Sequence, residues 1–214
     1  VQGEAGVRMA NKAYFKKLRE KCSKTGALLI LDEIQCGFGR TGKLWAFEHY
    51  GIQPDILLAA KGMGGGMPIG CFISSKEIMS SLKQNPILGH ITTFGGHPIS
   101  TAASLATLET IQNENLIDQV AGKALLFKKL LKHDLIKSIR NQGLLMAVEF
   151  ESYEVLKRII DRALEAGIIT DWFLFCNNSM RIAPPLTISE IEIKEVCQTL
   201  LKSIEWVSKN PLSC

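Results

Sequence analysis

The first half of the chain alternates between helical and strand-like spacings of its apolar residues. Within residues 9–24, Tyr14, Leu18 and Cys22 recur at every fourth position, which predicts an amphipathic helix that ends at Gly26. The run ALLILDE that follows is apolar up to its acidic end. Such a run predicts a strand that is buried on both faces, as in a parallel sheet.

Two further runs, PDILLAAK and PIGCFISS, predict strands, while residues 43–50 and the run KEIMSSLK predict short helices. The run PISTAASLATLETIQNEN predicts a long helix with Pro98 in its first turn, where proline is favoured. This alternation of strands and helices indicates an α/β domain with a largely parallel sheet.

The second half of the chain has a different pattern, in which helices are separated by short strands. One strand is predicted directly after Gly143, and two more in IITDWFLF and SMRIAPPL. The last helix is predicted to open with the capping box Thr187-x-x-Glu190. These elements indicate an α+β unit, so we predict two domains, at residues 1–112 and 113–214.

Composition and charge argue against some classes of binding partner. The 214 residues carry a net charge of +4, and the basic residues are spread along the chain. A nucleic-acid surface usually needs a basic stripe or patch. No apolar run is long enough to span a membrane, and the opening residues VQGEAGVRMANK lack the features of a signal peptide. We therefore expect neither nucleic acid nor a membrane among the partners.

The cysteines are scattered and form no CxxC pair; they are Cys22, Cys36, Cys71, Cys176, Cys197 and Cys214. This pattern disfavours a disulfide framework or a zinc site, and it predicts a reducing, cytoplasmic location. The four histidines also lack metal-ligand spacing, so no metal site is predicted.

Two charged residues close two of the predicted strands. Asp32 ends ALLILD, and Lys61 ends ILLAAK just before the glycines of KGMGGG. Ligands of open α/β sheets bind beyond the carboxyl ends of the strands. Two interpretations stay open: the residues pair with each other, or they hold opposite ends of one ligand. In the second, the amine can form a Schiff base with an aldehyde, and the carboxylate can keep a ring nitrogen protonated.

Other polar residues add weaker signals. The run HITTFGGHP places two threonine hydroxyls and two glycines before the helix start at Pro98, which suits a phosphate. The run RIAPPL places Arg181 on an apolar strand, where a guanidinium can bind a carboxylate through two parallel hydrogen bonds. Arg40 lies in the glycine-spaced loop QCGFGRTG. Each signal also fits an ordinary polar loop or a solvated surface charge, so none decides alone.

Taken in order, the segments VQGEAG, LDEIQCGFGRTG, PDILLAAKGMGGGMPIG, TTFGGHP and RIAPPL resemble the class III aminotransferases. This family includes the ornithine, acetylornithine and 4-aminobutyrate aminotransferases and depends on pyridoxal 5'-phosphate (PLP). The resemblance covers essentially the whole chain. It implies the fold type I architecture, a mostly parallel sheet with helices on both faces, followed by a small C-terminal domain.

The resemblance also implies a role for each cofactor residue. Lys61 would bind PLP covalently, and Asp32 would pair with the pyridine nitrogen. Gln35 would hydrogen-bond the phenolic oxygen. Thr93, with Thr92 beside it, would bind the phosphate of the neighbouring subunit's cofactor, which implies a homodimer with shared active sites. The glycines after Lys61 would let the backbone pass close to the cofactor.

Substrate residues are implied in the same way. Arg181 would bind the substrate carboxylate, and Glu4 would pair with Arg181 while the ω-amine donor reacts, then release it for the oxo acid. The expected reaction transfers an amino group from ornithine, N-acetylornithine or a similar donor to 2-oxoglutarate. His97 departs from the family pattern, which often has asparagine there.

The family's chains are about twice as long, and the glycine-rich phosphate cup and the aromatic ring-stacking residue of their first half are not visible in this sequence. The chain is therefore expected to match the C-terminal half: residues 1–112 as the later part of the PLP-binding large domain, and residues 113–214 as the small domain. We expect these residues alone to be inactive.

Three alternatives remain open from the sequence. A PLP-dependent aminomutase or racemase of the same family would retain the lysine, aspartate and threonine. An inactive assembly fragment would dimerise without binding the cofactor. A mononucleotide-binding module is disfavoured, because a P-loop places its lysine after the glycines and follows it with Ser or Thr.

Overall fold

A computed structural model describes residues 1–211, and Cys214 lies outside the described residues. The chain divides into two compact units, which we name after their sheets. The three-stranded unit consists of Ala10–Gly39 and Lys43–Asn115. The four-stranded unit consists of Val1–Met9, Arg40–Gly42 and the described chain from Leu116 onward.

These units differ from the predicted division at residues 112 and 113, because two early segments pack with the second half of the chain. Arg40 Nη1 donates hydrogen bonds to the carbonyl oxygens of Leu144 and Pro184, at 3.2 and 2.5 Å. Arg140 Nε donates to the carbonyl oxygen of Gly6 at 2.8 Å. Arg40 is therefore a partly buried structural residue, and the interpretation as a solvated loop charge is wrong.

The helices and strands of the three-stranded unit are α1 (Lys12–Thr25), β1 (Ile30–Asp32), β2 (Ile56–Ala60), β3 (Gly70–Ser74), α2 (Lys76–Ser80) and α3 (Pro98–Asn113). Short 3-10 helices cover Ala46–Tyr50, Lys61–Gly64 and Ser81–Lys83. Local signals predicted the first helix well. Asn11 caps it by accepting the N–H of Tyr14, and Gly26 ends it with φ 72° in the left-handed region.

The sheet of this unit has the order β1-β2-β3, with β1 parallel to β2 and β3 antiparallel to β2. Only the pair of β1 and β2 is parallel, so the expectation of a largely parallel sheet is met only in part. The short link between β2 and β3 explains the difference, since a parallel crossover needs a dozen or more residues. The expectation that β1 is buried on both faces is also wrong, because Ile30 is 53% exposed.

The helices and strands of the four-stranded unit are α4 (Leu116–Leu130), β4 (Ser138–Gln142), β5 (Leu145–Glu149), α5 (Tyr153–Glu165), β6 (Asp171–Phe173), β7 (Cys176–Ile182) and α6 (Glu190–Lys209). Its sheet has the order β4-β5-β7-β6 and is antiparallel throughout. A hairpin through Gly143, with φ 57°, joins β4 to β5. The sequence had predicted only the strand after that glycine.

A contiguous apolar core lies in the four-stranded unit, where α4, α5 and α6 supply buried residues such as Phe127, Leu156 and Leu200. The last helix is capped by Ser189 and Glu192, which bond each other's backbone N–H groups at 3.2 and 2.7 Å. The predicted box of Thr187 and Glu190 is therefore wrong by two residues. Among the described residues, no helix is both long enough and apolar enough to cross a membrane.

Candidate active site

Asp32 and Lys61 lie at the same edge of the three-stranded sheet. The parallel register pairs Asp32, the last residue of β1, with Leu58, and β2 ends at Ala60, one residue before Lys61. Both side chains are exposed. Within residues 1–211 the structure has no ion pair between them, and Asp32 Oδ1 instead accepts the backbone N–H of Ile34 at 2.9 Å. The geometry therefore favours two groups held for a ligand over a structural ion pair.

Lys61 has an unusual backbone conformation, with φ 49° in the left-handed region. A non-glycine residue there costs roughly 1–2 kcal/mol, and such residues cluster at functional sites. The strain falls on the residue that the sequence singles out, directly after the strand ends.

The glycines that follow Lys61 do not all serve the same purpose. A Cβ on Gly65, whose φ is 56°, would lie 2.2 Å from Thr107 Oγ1 of α3. A Cβ on Gly66 would meet nothing within 4 Å, and one on Gly62 only Phe38 Cβ at 3.8 Å. Gly65 is therefore required by helix packing, whereas Gly66 has open space where a Cβ would lie and a Cβ on Gly62 would make only an ordinary van der Waals contact.

The turn after Asp32 carries Gln35, which is half-buried and has interactions within the structure. The next residue, Cys36, is buried, and burial raises the pKa of its thiol to about 11. A thiol with so high a pKa stays protonated near neutral pH and is a poor nucleophile. Cys36 therefore packs beneath the turn and adds no reactive group to the site.

The two threonines of HITTFGGHP line a separate cavity of about 540 Å³. Thr92 and Thr93 are exposed there, and His97 closes one side. His97 Nδ1 is buried and has no hydrogen-bond partner among residues 1–211. Neither Asp32 nor Lys61 lines this cavity. Two hydroxyls beside an unsatisfied ring nitrogen suit an oxyanion such as a phosphate.

Glu4 and Arg181 form a two-point ion pair within the four-stranded unit. Arg181 Nη1 donates to Glu4 Oε1 at 3.0 Å, and Nη2 donates to Glu4 Oε2 at 3.2 Å. The residues are 177 positions apart in the chain and both are partly buried. A bidentate guanidinium–carboxylate pair of this kind has the geometry in which an arginine can also bind the carboxylate of a ligand.

Several further groups hold this pair. Leu174 N–H donates to Glu4 Oε2 at 3.0 Å, and Phe175 N–H donates to the Glu4 carbonyl at 2.9 Å. Arg181 Nη2 also donates to the Trp172 carbonyl at 3.0 Å. Asp171 Oδ1 lies 3.0 Å from Arg181 Nε, but that N–H makes no hydrogen bond within residues 1–211, so this second carboxylate acts on Arg181 through its charge.

Sequence reasoning missed three polar residues of these sites: Asp171, Arg140 and Glu33. Asp171 is opposite Arg181 in the β6–β7 register, which a strand-pairing argument could have shown. Arg140 holds the segment that carries Glu4 through the Gly6 carbonyl, and only tertiary structure reveals that bond. Glu33 directly follows Asp32 in an apolar run, where a buried carboxylate is uncommon and so signals a specific bonding role.

Comparisons with known proteins identify the family. Residues 1–204 match the family model of the class-III aminotransferases, so this chain belongs to that family. A curated relative, the putrescine aminotransferase of Pectobacterium atrosepticum, is 43% identical over 216 aligned residues. That alignment covers 98% of this chain and 45% of the relative.

Solved structures agree with the fold type I assignment. An aminotransferase of Bacillus anthracis superposes with a TM-score of 0.86 at 36% identity, over 95% of this chain and 50% of that one. The ornithine aminotransferase of Toxoplasma gondii superposes with a TM-score of 0.88 at 34% identity, over 98% of this chain and 50% of that one. The predicted fold class is therefore confirmed. The chain spans about half the length of these relatives, and the expectation that it matches their C-terminal half stays a prediction.

Class-III aminotransferases depend on PLP, and the Toxoplasma gondii enzyme was crystallised with PLP at partial occupancy in its active site. The residues of this chain fit that cofactor on three grounds. A strained lysine and a carboxylate share one sheet edge, Gly66 has open space where a Cβ would lie, and the cavity beside Thr92 and Thr93 contains an orphaned polar atom.

Proposed function

We propose that this chain is the PLP-binding and carboxylate-binding part of an aminotransferase that moves an amino group from an ω-amino donor to 2-oxoglutarate. The observation that carries the proposal is the placement of Asp32 and Lys61 at the ends of adjacent parallel strands, in a member of the class-III family. When bound, PLP supplies the electron sink that stabilises negative charge at the substrate carbon.

Three residues at or just after the strand ends would act on the cofactor and the substrate. The Asp32 carboxylate would hold the pyridine nitrogen protonated, because a nearby negative charge favours the cationic ring. The Lys61 amine would bind the cofactor covalently and, once displaced by the donor, would move the proton at the substrate carbon. Gln35 would donate a hydrogen bond to the phenolic oxygen.

Thr93, together with Thr92, would bind the phosphate. The resemblance assigns this threonine to the neighbouring subunit's cofactor, so we propose a homodimer with shared sites. The proposal also includes a cytoplasmic location, on the ground of the scattered cysteines.

The pair of Glu4 and Arg181 supports transamination between two different acids rather than a mutase or racemase reaction. Arg181 would bind the carboxylate of 2-oxoglutarate, and Glu4 would screen that positive charge while a donor without a carboxylate at this position reacts. The donor class includes ornithine and N-acetylornithine, and the similarity to a putrescine aminotransferase adds diamines to the list to be tested.

A direct test combines spectroscopy with an assay of donor choice. The purified full-length protein that contains this chain, incubated with PLP, should show the visible absorption band of lysine-bound cofactor, whereas residues 1–214 alone are expected to be inactive. With 2-oxoglutarate as acceptor, the full-length protein should form glutamate from one or more of ornithine, N-acetylornithine, 4-aminobutyrate and putrescine. Uptake of PLP without glutamate formation from any donor would contradict the aminotransferase proposal and favour the mutase, the racemase or an inactive assembly role.

A further inference from the structure

Glu33 is a buried carboxylate that the proposed chemistry does not use. We propose that Glu33 is a positioning residue, which fixes the turn carrying Asp32 and so aims the Asp32 carboxylate at the cofactor's ring nitrogen. The inference rests on the proposed function, because it assumes that Asp32 faces PLP.

The Glu33 side chain ties the turn to the short helix at Ala46–Tyr50. Its Oε2 accepts the backbone N–H of Ala46 at 2.8 Å, and its Oε1 accepts the N–H of Phe47 at 2.9 Å. The residue is only 4% exposed. Both carboxylate oxygens therefore bind one structural element, and the side chain has a single defined direction.

The Glu33 backbone is held at the same time. Its N–H donates to the Leu58 carbonyl of β2 at 3.0 Å, and its carbonyl accepts the N–H of Gly37 at 2.8 Å. A Cβ on Gly37 would lie 2.9 Å from that carbonyl, so the turn closes tightly. Asp32 is the preceding residue, and a shift at Glu33 would be passed directly to it along the chain.

Burying a carboxylate costs free energy, so the hydrogen bonds that Glu33 accepts are needed to stabilise it in this position. Burial raises the pKa of Glu33, while the N–H groups of Ala46 and Phe47 act in the opposite direction. A glutamine here has only one carbonyl oxygen, so its amide group would meet one of the two N–H donors with another donor. An apolar residue would leave both N–H groups buried and unsatisfied.

The simpler interpretation is that Glu33 merely caps a short helix. The chain offers a matched control for that role, because Glu48 caps the same helix by accepting the Trp45 N–H at 2.7 Å. Glu48 is exposed, and this bond does not involve the Asp32 turn. Glu48→Gln therefore shows how much the loss of a cap bond on this helix matters when the Asp32 turn is left untouched.

The test measures PLP affinity by titration, together with the pH dependence of the bound cofactor's absorption spectrum, in Glu33→Gln and Glu48→Gln. We expect Glu33→Gln to weaken PLP binding about tenfold, which corresponds to about 1.4 kcal/mol, and to shift the spectral titration of the ring. Glu48→Gln should change the affinity less than about twofold, since exposed substitutions have small effects.

A double-mutant cycle separates positioning from general loosening. In an Asp32→Asn background, Glu33→Gln should cause little further loss of affinity, because its effect acts through Asp32. If Glu33→Gln weakens PLP binding as strongly in the Asp32→Asn background as in the wild type, the proposal is overturned. It is also overturned if Glu33→Gln alone shows the affinity and the spectrum of the wild type. Neither outcome would contradict PLP binding itself. If the wild-type protein takes up no PLP at all, the proposed function itself fails, and this inference fails with it.

Thermal unfolding should be recorded for each variant. If Glu33→Gln does not fold, Glu33→Asp provides the second variant, since it keeps the charge but shortens the reach by one methylene. It is expected to weaken PLP binding and shift the spectrum in the same direction. Wild-type binding by folded Glu33→Asp would contradict the need for a bridge to Ala46 and Phe47.

Discussion

The two units of this chain differ in how far they bury their apolar side chains. In the four-stranded unit, every residue of β5 from Leu145 to Val148 is fully buried, and three helices contribute to one continuous core. In the three-stranded unit, β3 is exposed along most of its length, with Phe72 44% exposed. One unit thus has a core of its own, whereas the other presents apolar strand surface.

The candidate chemistry divides along the same line. The proposed cofactor residues Asp32 and Lys61 belong to the thinly packed three-stranded unit, while the proposed carboxylate-binding pair of Glu4 and Arg181 belongs to the well-packed four-stranded unit. We infer that substitutions at the sheet edge change the chemistry with little effect on stability. Substitutions in the four-stranded core should do the reverse, and those at the ion pair should change substrate choice alone.

The largest effect is expected for Lys61→Ala, which should abolish transamination because the covalent attachment and the proton carrier are both lost. The melting temperature should change little, since Lys61 is exposed. Lys76→Ala, at the exposed start of α2, is the control and should keep full activity. Borohydride reduction of the PLP-loaded protein, followed by peptide mapping, should mark Lys61; a label on Lys43 or Lys76 would overturn the assignment.

Asp32→Asn comes next and should lose most of the rate. Removing the charge lowers the pKa of the ring nitrogen, and each unit of pKa changes the protonated fraction by up to about tenfold. The turnover number should therefore fall at least about tenfold while the protein stays folded, as judged by circular dichroism. Turnover close to that of the wild type would show that Asp32 does not maintain the electron sink.

Deletion of a phenyl ring tests the contrast in packing directly. Phe127→Ala, in the four-stranded core at 0% exposure, should lower the free energy of unfolding by about 3–5 kcal/mol. The matched change Phe94→Ala, at 78% exposure in the three-stranded unit, should alter it by less than about 0.5 kcal/mol. Denaturant titration measures both, and similar losses would remove the contrast.

Glu4→Ala should alter donor choice rather than cofactor binding. With Arg181 left unscreened, donors that have an α-carboxylate should react relatively more at the α-amine than at the ω-amine. Product analysis with ornithine measures this ratio, and Asp171→Ala serves as the control for a nearby carboxylate that accepts no hydrogen bond from Arg181 Nε. An unchanged ratio would leave Arg181 as a plain carboxylate clamp.

The smallest expected effect is a pH-dependent change in the free energy of unfolding, caused by Asp55 beside the first strand pair. Asp55 Oδ2 accepts the Leu29 N–H and an Arg19 N–H, both at 2.6 Å, and these bonds lower the pKa of Asp55. A lowered folded-state pKa stabilises the protein above the ordinary value near 4, and this stabilisation is lost as the pH falls through the folded pKa.

Asp55→Asn should therefore destabilise the protein at pH 7 by about 1 kcal/mol or less, given the partial exposure of the pair. The difference from the wild type should shrink in denaturant titrations near pH 3. A constant difference at both pH values would show that the charge of Asp55 contributes nothing.

Local signals allowed much of the fold to be predicted. Gly26 ends α1 and Pro98 opens α3 as predicted, because a glycine cap and a proline act within one turn of the chain. The direction of β3 could have been inferred from the short link after β2. The hairpin partner β4 was missed because SIRNQ is polar, with half-buried residues that show no clear alternation.

The site was less accessible to sequence reasoning. Asp32 and Lys61 stand out locally, since each is the first charged residue after an apolar run. The Glu4–Arg181 pair joins residues 177 positions apart, and only the family resemblance suggested it. Glu33 was missed because its role depends on two backbone donors of the short helix at Ala46–Tyr50, which no spacing rule predicts.

Because Arg40–Gly42 belongs to the four-stranded unit, the two units are interleaved along the gene. The chain passes between the units four times, after residues 9, 39, 42 and 115. A single recombination breakpoint anywhere in the gene segment would therefore leave at least one unit incomplete. Exchange of the four-stranded unit between relatives must bring Val1–Met9 and Arg40–Gly42 along with the region from Leu116. The two units are thus expected to be inherited together rather than shuffled as modules.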